Sequence, residues 1–265
     1  MNNLITAGEL AKLATTTKRT IHFYDEKDIL KPAKIDDNGY RYYHEHQVLD
    51  YQMILLLTTL GIPLQEIKQH LGKRGGLPQL FDSNKSHIQQ QIDLLQFNLD
   101  NLNRYLQNLD ANGTLIKPEI KQLDPFDIFY IERVGPYAKI AQYCQELSTM
   151  LTSRGSNITT LSIFSNPTYQ PKKSHIKIAF LATKDIKIKP EHKNVVKLMT
   201  FDPGKVVTYT HHGSGSLLSL FWKELEKYCR LHDIAVRPEI PGFEIYRDVN
   251  QDITKQSFEI YLPIR

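Results

Sequence analysis

The chain has 265 residues, enough for two domains, and its 41% hydrophobic and 23% charged residues are ordinary for a globular protein. A formal net charge of +4 is too small to indicate a nucleic-acid partner by itself, and two cysteines are too few for a disulfide framework. Apolar runs such as Met53 to Leu57 are too short to cross a bilayer, and no secretory signal opens the chain. We therefore expect a cytoplasmic protein without a membrane partner.

The first predicted element is a short helix from Ala7 to Leu13. Thr6 is a favourable N-cap, and Glu9, three residues later, completes a capping box. Helical spacing places Leu10 and Leu13 on one side of this helix, which we expect to face the core.

A second helix is predicted from Lys18 to Glu26, after a turn at Thr15 to Thr17, because threonine hydroxyls favour caps and turns. Ile21 and either Phe23 or Tyr24 should face the core. Two short helices joined by such a turn form a helix-turn-helix, whose second helix suits contacts in a DNA major groove. Basic side chains that we expect on its exposed face are Lys18, Arg19 and His22.

A β-hairpin is predicted next. The pair Asn38-Gly39 lies between two extended stretches and is a strong hairpin signal, because both residues tolerate positive φ. A hairpin directly after a helix-turn-helix is a wing, and Arg41 between tyrosines offers a charge and hydroxyl groups to the sugar–phosphate backbone. Two further helices, residues 46–60 and 64–71, and a linker at residues 73–76 complete this region.

The stretch from Ser86 to Asp110 predicts a long helix with a dimerisation seam. Apolar residues alternate at spacings of four and three: Ile88, Ile92, Leu95, Leu99, Leu102, Leu106 and Leu109. That spacing is typical of a coiled coil, in which two helices bury a narrow stripe against each other. The alternative is one helix packed on a globular core, and Leu94 and Phe97 widen the stripe in that direction. We expect a homodimer formed through residues 86–110.

The second half of the chain contains a duplication. With an offset of 78 residues Gly135 matches Gly213, and with an offset of 82 Ile163 matches Ile245. Each copy reads strand, helix, strand, strand; the segments are 128–133, 140–153, 161–164 and 176–182, then 206–211, 217–232, 243–246 and 258–263. One copy cannot cover its own sheet, so we expect the two to pair about a pseudo-twofold axis with a groove between them.

The N-terminal region resembles the mercury-resistance-regulator (MerR) family of transcription factors. The resemblance covers about seventy residues, including Gly8-Glu9-Leu10-Ala11, Lys18 to Asp25 and Asn38 to Tyr43. It implies a winged helix-turn-helix that binds promoter DNA as a dimer and distorts it so that RNA polymerase can engage. DNA contacts are expected from eight residues: Thr17, Lys18, Arg19, His22, Tyr24, Tyr40, Arg41 and Tyr42. His22-Phe23 stands where the family usually has Arg-Tyr, which removes one charge and one hydroxyl.

The C-terminal half is similar to the gyrase-inhibitory-protein-like (GyrI-like) effector domain, on the run Phe243-Glu244-Ile245-Tyr246 and the closing run Glu259 to Ile264. In such a pocket Glu244 is the expected acidic contact. Strand period two places Glu244 with Tyr246, and Glu259 with Tyr261, and we expect both pairs to face one groove and hold a flat organic cation. Further candidate effector contacts are Tyr137, Phe164, Tyr169 and Tyr209.

The sequence therefore predicts a mainly α N-terminal winged helix-turn-helix with a long coiled-coil helix, followed by an α+β domain of two β-α-β-β repeats. The expected domains are 1–75, 76–112 and 113–265. The function expected is a ligand-responsive transcriptional regulator; the alternatives are a drug-sequestering protein or a small-molecule hydrolase. No cofactor, metal site or catalytic arrangement is expected, since the histidine pairs lack a third ligand and no cysteine precedes Cys144.

Overall fold

A computed structural model describes residues 4–70, 76–153, 158–165, 172–248 and 252–265. The chain forms two compact units, one ending at Asp93 and one beginning at Leu94, so that the boundary lies inside a long helix. This architecture confirms the predicted fold class. None of the helices in these ranges is both long and apolar enough to cross a membrane.

The N-terminal unit contains a three-stranded antiparallel sheet and a group of short helices. Its elements are β1 (Leu4–Thr6), α1 (Ala7–Leu13), α2 (Lys18–Glu26), β2 (Lys34–Ile35), β3 (Arg41–His44), α3 (Gln47–Thr59), α4 (Leu64–His70) and the start of α5 (Leu77–Asn112). The strand order is β1-β3-β2. Ile21 on α2, Ile54 on α3 and Ile67 on α4 meet in one apolar core.

The capping box that starts α1 is confirmed. The Thr6 hydroxyl accepts from the Glu9 N–H, and the Glu9 carboxylate accepts from the Thr6 N–H. Leu10 is buried as predicted, but the prediction for Leu13 is wrong, because 54% of that residue is exposed. Ala7, Leu10, Ala11 and Ala14 form the buried stripe of the helix, and Leu13 points away from it.

The wing has a wider turn than Asn38-Gly39 predicted. Ile35 pairs with Arg41, which leaves residues 36–40 in the loop. Gly39 has φ of 80°, but Asn38 does not have a positive φ. The Asp36 carboxylate instead organises the loop by accepting from the N–H groups of Asn38 and Tyr40.

Helix α5 begins nine residues earlier than the heptad pattern predicted and runs from Leu77 to Asn112. All seven seam side chains are exposed along it, from Ile88 at 41% to Leu95 at 67%. The C-terminal half of α5 belongs to the second unit, where Tyr105 packs against the core and Asn108 is buried.

The C-terminal unit is one eight-stranded antiparallel sheet with helices on one face. Its elements are β4 (Glu119–Gln122), β5 (Phe126–Gly135), α6 (Ile140–Met150), β6 (Leu151–Ser153), β7 (Thr160–Phe164), β8 (Ser174–Leu181), β9 (Ile186–Ile188), β10 (Lys197–Phe201), β11 (Lys205–His212), α7 (Leu218–Leu231), β12 (Phe243–Asp248) and β13 (Ser257–Pro263). The strand order in the large sheet is β10-β5-β8-β7-β12-β13-β11-β4, and β6 pairs with β9 separately.

The duplication predicted from the sequence is confirmed by this strand order. The first copy contributes β5-β8-β7 and the second contributes β12-β13-β11, so the sheet reads the same from both edges. The outermost strands extend the repeat and are exchanged between the copies: β4 pairs with β11, and β10 pairs with β5. Gln122 faces Lys205, and at the same 78-residue offset Thr200 faces Asp127. The two copies are therefore related in register as well as in order.

Candidate functional site

The two repeats meet where β7 pairs with β12. Ser162 lies directly opposite Glu244, and these two residues are equivalent at the 82-residue offset, so the pseudo-twofold axis passes between them. Tyr246 lies on the same face of β12, opposite Thr160. A carboxyl group on one side of the axis and a hydroxyl on the other make the centre of the sheet acidic on one side only.

Glu244 is buried, with 4% of the residue exposed, yet both carboxylate oxygens have neutral hydrogen-bond donors. The Trp222 indole N–H donates to Oε1 at 2.6 Å, and the Tyr246 hydroxyl donates to Oε2 at 2.8 Å. Glu244 forms no ion pair with any residue that the structure describes. Burial raises its pKa to about 7, although the bonds from Trp222 and Tyr246 act in the opposite direction.

A cavity of about 1450 Å³ opens beside this carboxyl, between α6 and α7. Its aromatic wall is continuous: the rings of Tyr137 and Phe164 meet edge to face at 5.3 Å between centroids, and Phe164 meets Trp222 at 6.2 Å. The wall and Glu244 together provide a large apolar surface with one ionisable group beside it, which is the general form of a small-molecule pocket. Tyr137, Phe164 and Tyr246 thus lie at the cavity as predicted.

Glu259 and Tyr261 do not face this cavity, which corrects the prediction for this pair. They share a face of β13 as expected, and the Tyr261 hydroxyl donates to Glu259 at 2.5 Å. In the ladder, however, Tyr261 lies opposite Phe243 and Glu259 lies opposite Ile245. Residues opposite each other share a face, so this pair occupies the side of the sheet away from Glu244. Tyr261 stacks there on Phe243 at 4.5 Å.

Tyr209 also lies away from the cavity. Its ring is buried under α7, 5.4 Å from that of Phe221, in the same apolar cluster as Tyr105. This position corrects the prediction that Tyr209 contacts a ligand. Tyr169 lies outside the described residues.

Among the cavity residues that sequence reasoning missed are Trp222, Cys144 and Phe258. A signal for two of them was available, because the 78-residue offset that pairs Tyr143 with Phe221 also pairs Cys144 with Trp222. The same helical position in each repeat thus lines the cavity. Burial raises the pKa of Cys144 to about 12, so its thiol stays protonated near neutral pH.

In the N-terminal unit, most of the candidate DNA contacts lie at the surface. Thr17 caps α2 by accepting from the Thr20 N–H, and Lys18, Arg19 and Tyr40 are exposed. His22 is half-buried, and so is Tyr42, whose hydroxyl lies 3.4 Å from Asp36. These side chains lie on or next to α2 and in the wing, which are the two elements that the sequence predicted for this region.

Tyr24 and Arg41 have structural roles. Tyr24 is buried in the core, with its ring 5.9 Å from that of Tyr51, so the structure does not place it on the exposed face of α2. Arg41 donates from Nε to the Asp25 carboxylate at 2.7 Å and so fastens the wing to α2. Burial raises the pKa of Asp25, but bonds from Arg41 and Lys31 outweigh it, and the net pKa is lowered.

No cluster of three or more metal-ligating side chains occurs within the described ranges of the chain. His44 and His46 stack at 5.2 Å, which accounts for their proximity without a metal.

Comparisons with known proteins match the two parts of this architecture separately. A model of the MerR HTH family of regulatory proteins matches residues 5–73. A model of the GyrI-like small molecule binding domain matches residues 116–265, more than half of the chain. The fold and cavity thus define a helix-turn-helix region followed by a small-molecule-binding domain. The chain carries a MerR-type HTH region at residues 5–73 and belongs to the GyrI-like family through residues 116–265.

Curated relatives bear regulator names. The Multidrug-efflux transporter 2 regulator of Bacillus subtilis is 46% identical over 63 residues, covering 24% of this chain and 23% of the relative. The HTH-type transcriptional activator TipA of Streptomyces coelicolor is 29% identical over 128 residues, covering 46% and 47%. The chain thus spans about a quarter to a half of the length of these relatives.

Two solved structures that match this chain are more distant. A cryo-EM structure of an EcmrR–DNA complex has 20% identity and a TM-score of 0.49, and covers 98% of this chain and 99% of that chain. The structure of SAV2435 bound to tetraphenylphosphonium has 16% identity and a TM-score of 0.41, and covers 57% of this chain and 94% of that chain.

Proposed function

We propose that this protein is a ligand-responsive transcriptional regulator whose C-terminal cavity binds a lipophilic organic cation. The observation that carries the proposal is Glu244, a buried carboxyl with two neutral donors and an aromatic wall beside it. A carboxylate in this setting has lost solvation, and an aromatic cation restores a charge partner while its rings stack on Tyr137, Phe164 and Trp222.

The N-terminal unit is the proposed DNA-binding part. Lys18 and Arg19 on α2, together with the wing, supply exposed charge and hydroxyl groups suited to a groove and its phosphates. The exposed seam of α5 supports a homodimer through residues 86–110, because a stripe of seven apolar side chains at heptad spacing is stable when it is covered by a second helix. A dimer of this kind binds a two-fold promoter site.

Regulation follows if the ligand binds two conformations of the dimer unequally. In the scheme that we propose, the cation favours the conformation that bends and untwists promoter DNA, so that RNA polymerase engages a spacer that is otherwise too long. The protein then acts as an activator.

The proposal that the cavity binds a cation is tested by titrating the protein with two ions. Tetraphenylphosphonium is a cation, and tetraphenylborate has the same shape and the opposite charge. Fluorescence of Trp222 reports binding, since it is the one tryptophan in the sequence. We expect the cation to bind and the anion to bind much more weakly. Glu244→Gln should weaken the cation about tenfold or more, because charge-assisted contacts contribute about 1.5–3 kcal/mol.

Glu259→Gln is the matched control for this experiment. Glu259 also accepts from a tyrosine hydroxyl of its own strand, but it lies on the other face of the sheet. Equal losses in the two variants, or equal binding of the cation and the anion, would rule out the proposed site. A gel shift on DNA upstream of the protein's own gene, with and without tetraphenylphosphonium, tests the regulatory part separately.

A further inference from the structure

Helix α7 of the second repeat is attached to its surroundings differently from the equivalent helix α6. In the first repeat Arg133 on β5 forms an ion pair with Glu146 on α6, and its Nε donates to Glu146 at 3.0 Å. At the 78-residue offset the equivalent residues are His211 and Glu224. The strand position thus carries an imidazole where the first repeat carries a guanidinium.

His211 does not take over the role of Arg133. Its ring is buried against Phe221 at 4.3 Å between centroids, and its Nε2 lies 3.1 Å from the Ser214 carbonyl oxygen. Burial lowers its pKa to about 4, so the ring is neutral near pH 7. Glu224 therefore does not form with His211 the strand–helix ion pair that Glu146 forms with Arg133.

Glu224 instead binds the segment that follows α5. Its carboxylate accepts from the Leu115 backbone N–H at 2.7 Å, and one turn later Lys227 donates to the Gly113 carbonyl at 2.7 Å. From α5 itself, the Asn108 amide donates to the Leu115 carbonyl at 2.9 Å. Three hydrogen bonds thus join the end of α5, its following turn and α7.

Two consecutive residues of α7 connect this attachment to the cavity. Trp222 donates to Glu244 at the cavity wall, and Phe221 stacks on Tyr105 of α5 with centroids 6.3 Å apart. Tyr105 lies on α5 between the exposed seam residues Leu102 and Leu106, but its side chain packs against the apolar cluster under α7. Two adjacent residues of α7 therefore contact the Glu244 carboxyl and helix α5 respectively.

We propose that α7 is the coupling element of this regulator: occupancy of the Glu244 cavity shifts α7 through Trp222, and Glu224, Lys227 and Phe221 pass the shift to the end of α5. This inference rests on the proposed function, and it names the path of regulation. It also assigns different roles to the two repeats, since Glu146 of α6 is tied to its own strand through Arg133, whereas Glu224 of α7 binds the segment that follows α5.

The test measures coupling in the full-length dimer. The dissociation constant of tetraphenylphosphonium is determined with and without the promoter fragment that the protein shifts, and the ratio of the two is the coupling factor, because linkage between the two ligands is reciprocal. Allosteric coupling factors are typically about 5–150-fold, and we expect the wild type to lie in that range. Glu224→Leu removes the acceptor for the Leu115 N–H and should bring the factor to below about threefold, while the affinity for the cation without DNA stays within about threefold of wild type.

Glu146→Leu is the matched control, because it makes the same change at the equivalent position of α6 and should keep the wild-type factor. If Glu224→Leu fails to fold, Lys227→Met replaces it, since the Lys227 side chain is 43% exposed and donates to the Gly113 carbonyl. A wild-type factor in the α7 variant, or an equal loss in the Glu146 variant, would overturn the inference. Absence of cation binding in the wild type would refute the proposed function, and binding without coupling would refute both its regulatory part and this path.

Discussion

The affinity of the cavity for a cation should depend on pH through Glu244. Its pKa of about 7 in the empty pocket results from burial, which outweighs the bonds donated by Trp222 and Tyr246. A cation binds the carboxylate form, so binding releases a proton from every molecule in which Glu244 is protonated. The affinity therefore rises as the pH increases towards the pKa and levels off above it.

The size of the effect follows from the fraction of charged carboxyl. At pH 6 about one molecule in ten carries the carboxylate, so the dissociation constant should be about tenfold weaker than at pH 8 or above. Isothermal titration in two buffers of different ionisation enthalpy measures both this constant and the proton released. Glu244→Gln should show a flat profile and no proton release, while Glu259→Gln should resemble the wild type. A wild-type affinity that is the same at pH 6 and pH 8 would refute the reasoning.

The stability of the empty protein should change with pH in the opposite sense. Because the folded pKa of Glu244 is raised above the unfolded value of 4.5, its contribution is fully present below pH 4.5 and is lost as the pH rises to about 7. The full loss is about 3 kcal/mol, at 1.36 kcal/mol for each pKa unit. Relative to wild type, Glu244→Gln should gain free energy of unfolding over this interval in denaturant titrations. In saturating tetraphenylphosphonium the wild type should instead have the larger free energy of unfolding, because the cation binds the Glu244 carboxylate.

Three further substitutions test other parts of the molecule. Leu99→Asp places a carboxylate in the middle of the α5 seam and should give monomers in light scattering at micromolar concentration, because an unpaired buried charge costs about 3–5 kcal/mol; retained dimer mass would contradict the seam. Arg41→Ala removes a partner of buried Asp25 and should lower the melting temperature as well as weaken DNA binding, whereas a purely phosphate-contacting arginine would affect binding alone. Trp222→Phe keeps the ring but removes a donor to Glu244, so the midpoint of the pH profile should move to higher pH; a shift to lower pH would mean that the indole N–H does not stabilise the carboxylate.

Local signals in the sequence predicted local structure well. The Thr6–Glu9 box set the start of α1, and the two-residue strand period placed Glu244 with Tyr246. Each of these depends on residues that are close together in the chain, where the backbone geometry is fixed by the element itself.

Errors arose where the answer depended on how elements pair. The two-residue strand period also placed Glu259 and Tyr261 on one face of β13. Whether that face is the one that carries Glu244 depends on the register between β12 and β13, because a shift of one residue moves a side chain to the other face. The 78-residue offset makes Trp222 equivalent to Cys144, but the fact that both line the cavity depends on the rotation of α6 and α7 over the sheet. Tyr24 carried a hydroxyl that suited DNA, yet the packing of α2 on α3 buries it beside Tyr51.

Because the edge strands are exchanged between the repeats, the C-terminal sheet cannot be completed until late in synthesis. Strand β4 leaves the ribosome before any other strand of the sheet, but its partner β11 lies some eighty residues further along the chain. Until β11 is synthesised, β4 has an unpaired edge that includes the apolar side chain of Ile120, a known hazard for association with other nascent chains. Neither repeat can complete its sheet alone, so a chain interrupted between β9 and β10, after Ile188 and before Lys197, yields two fragments that each lack a strand held by the other.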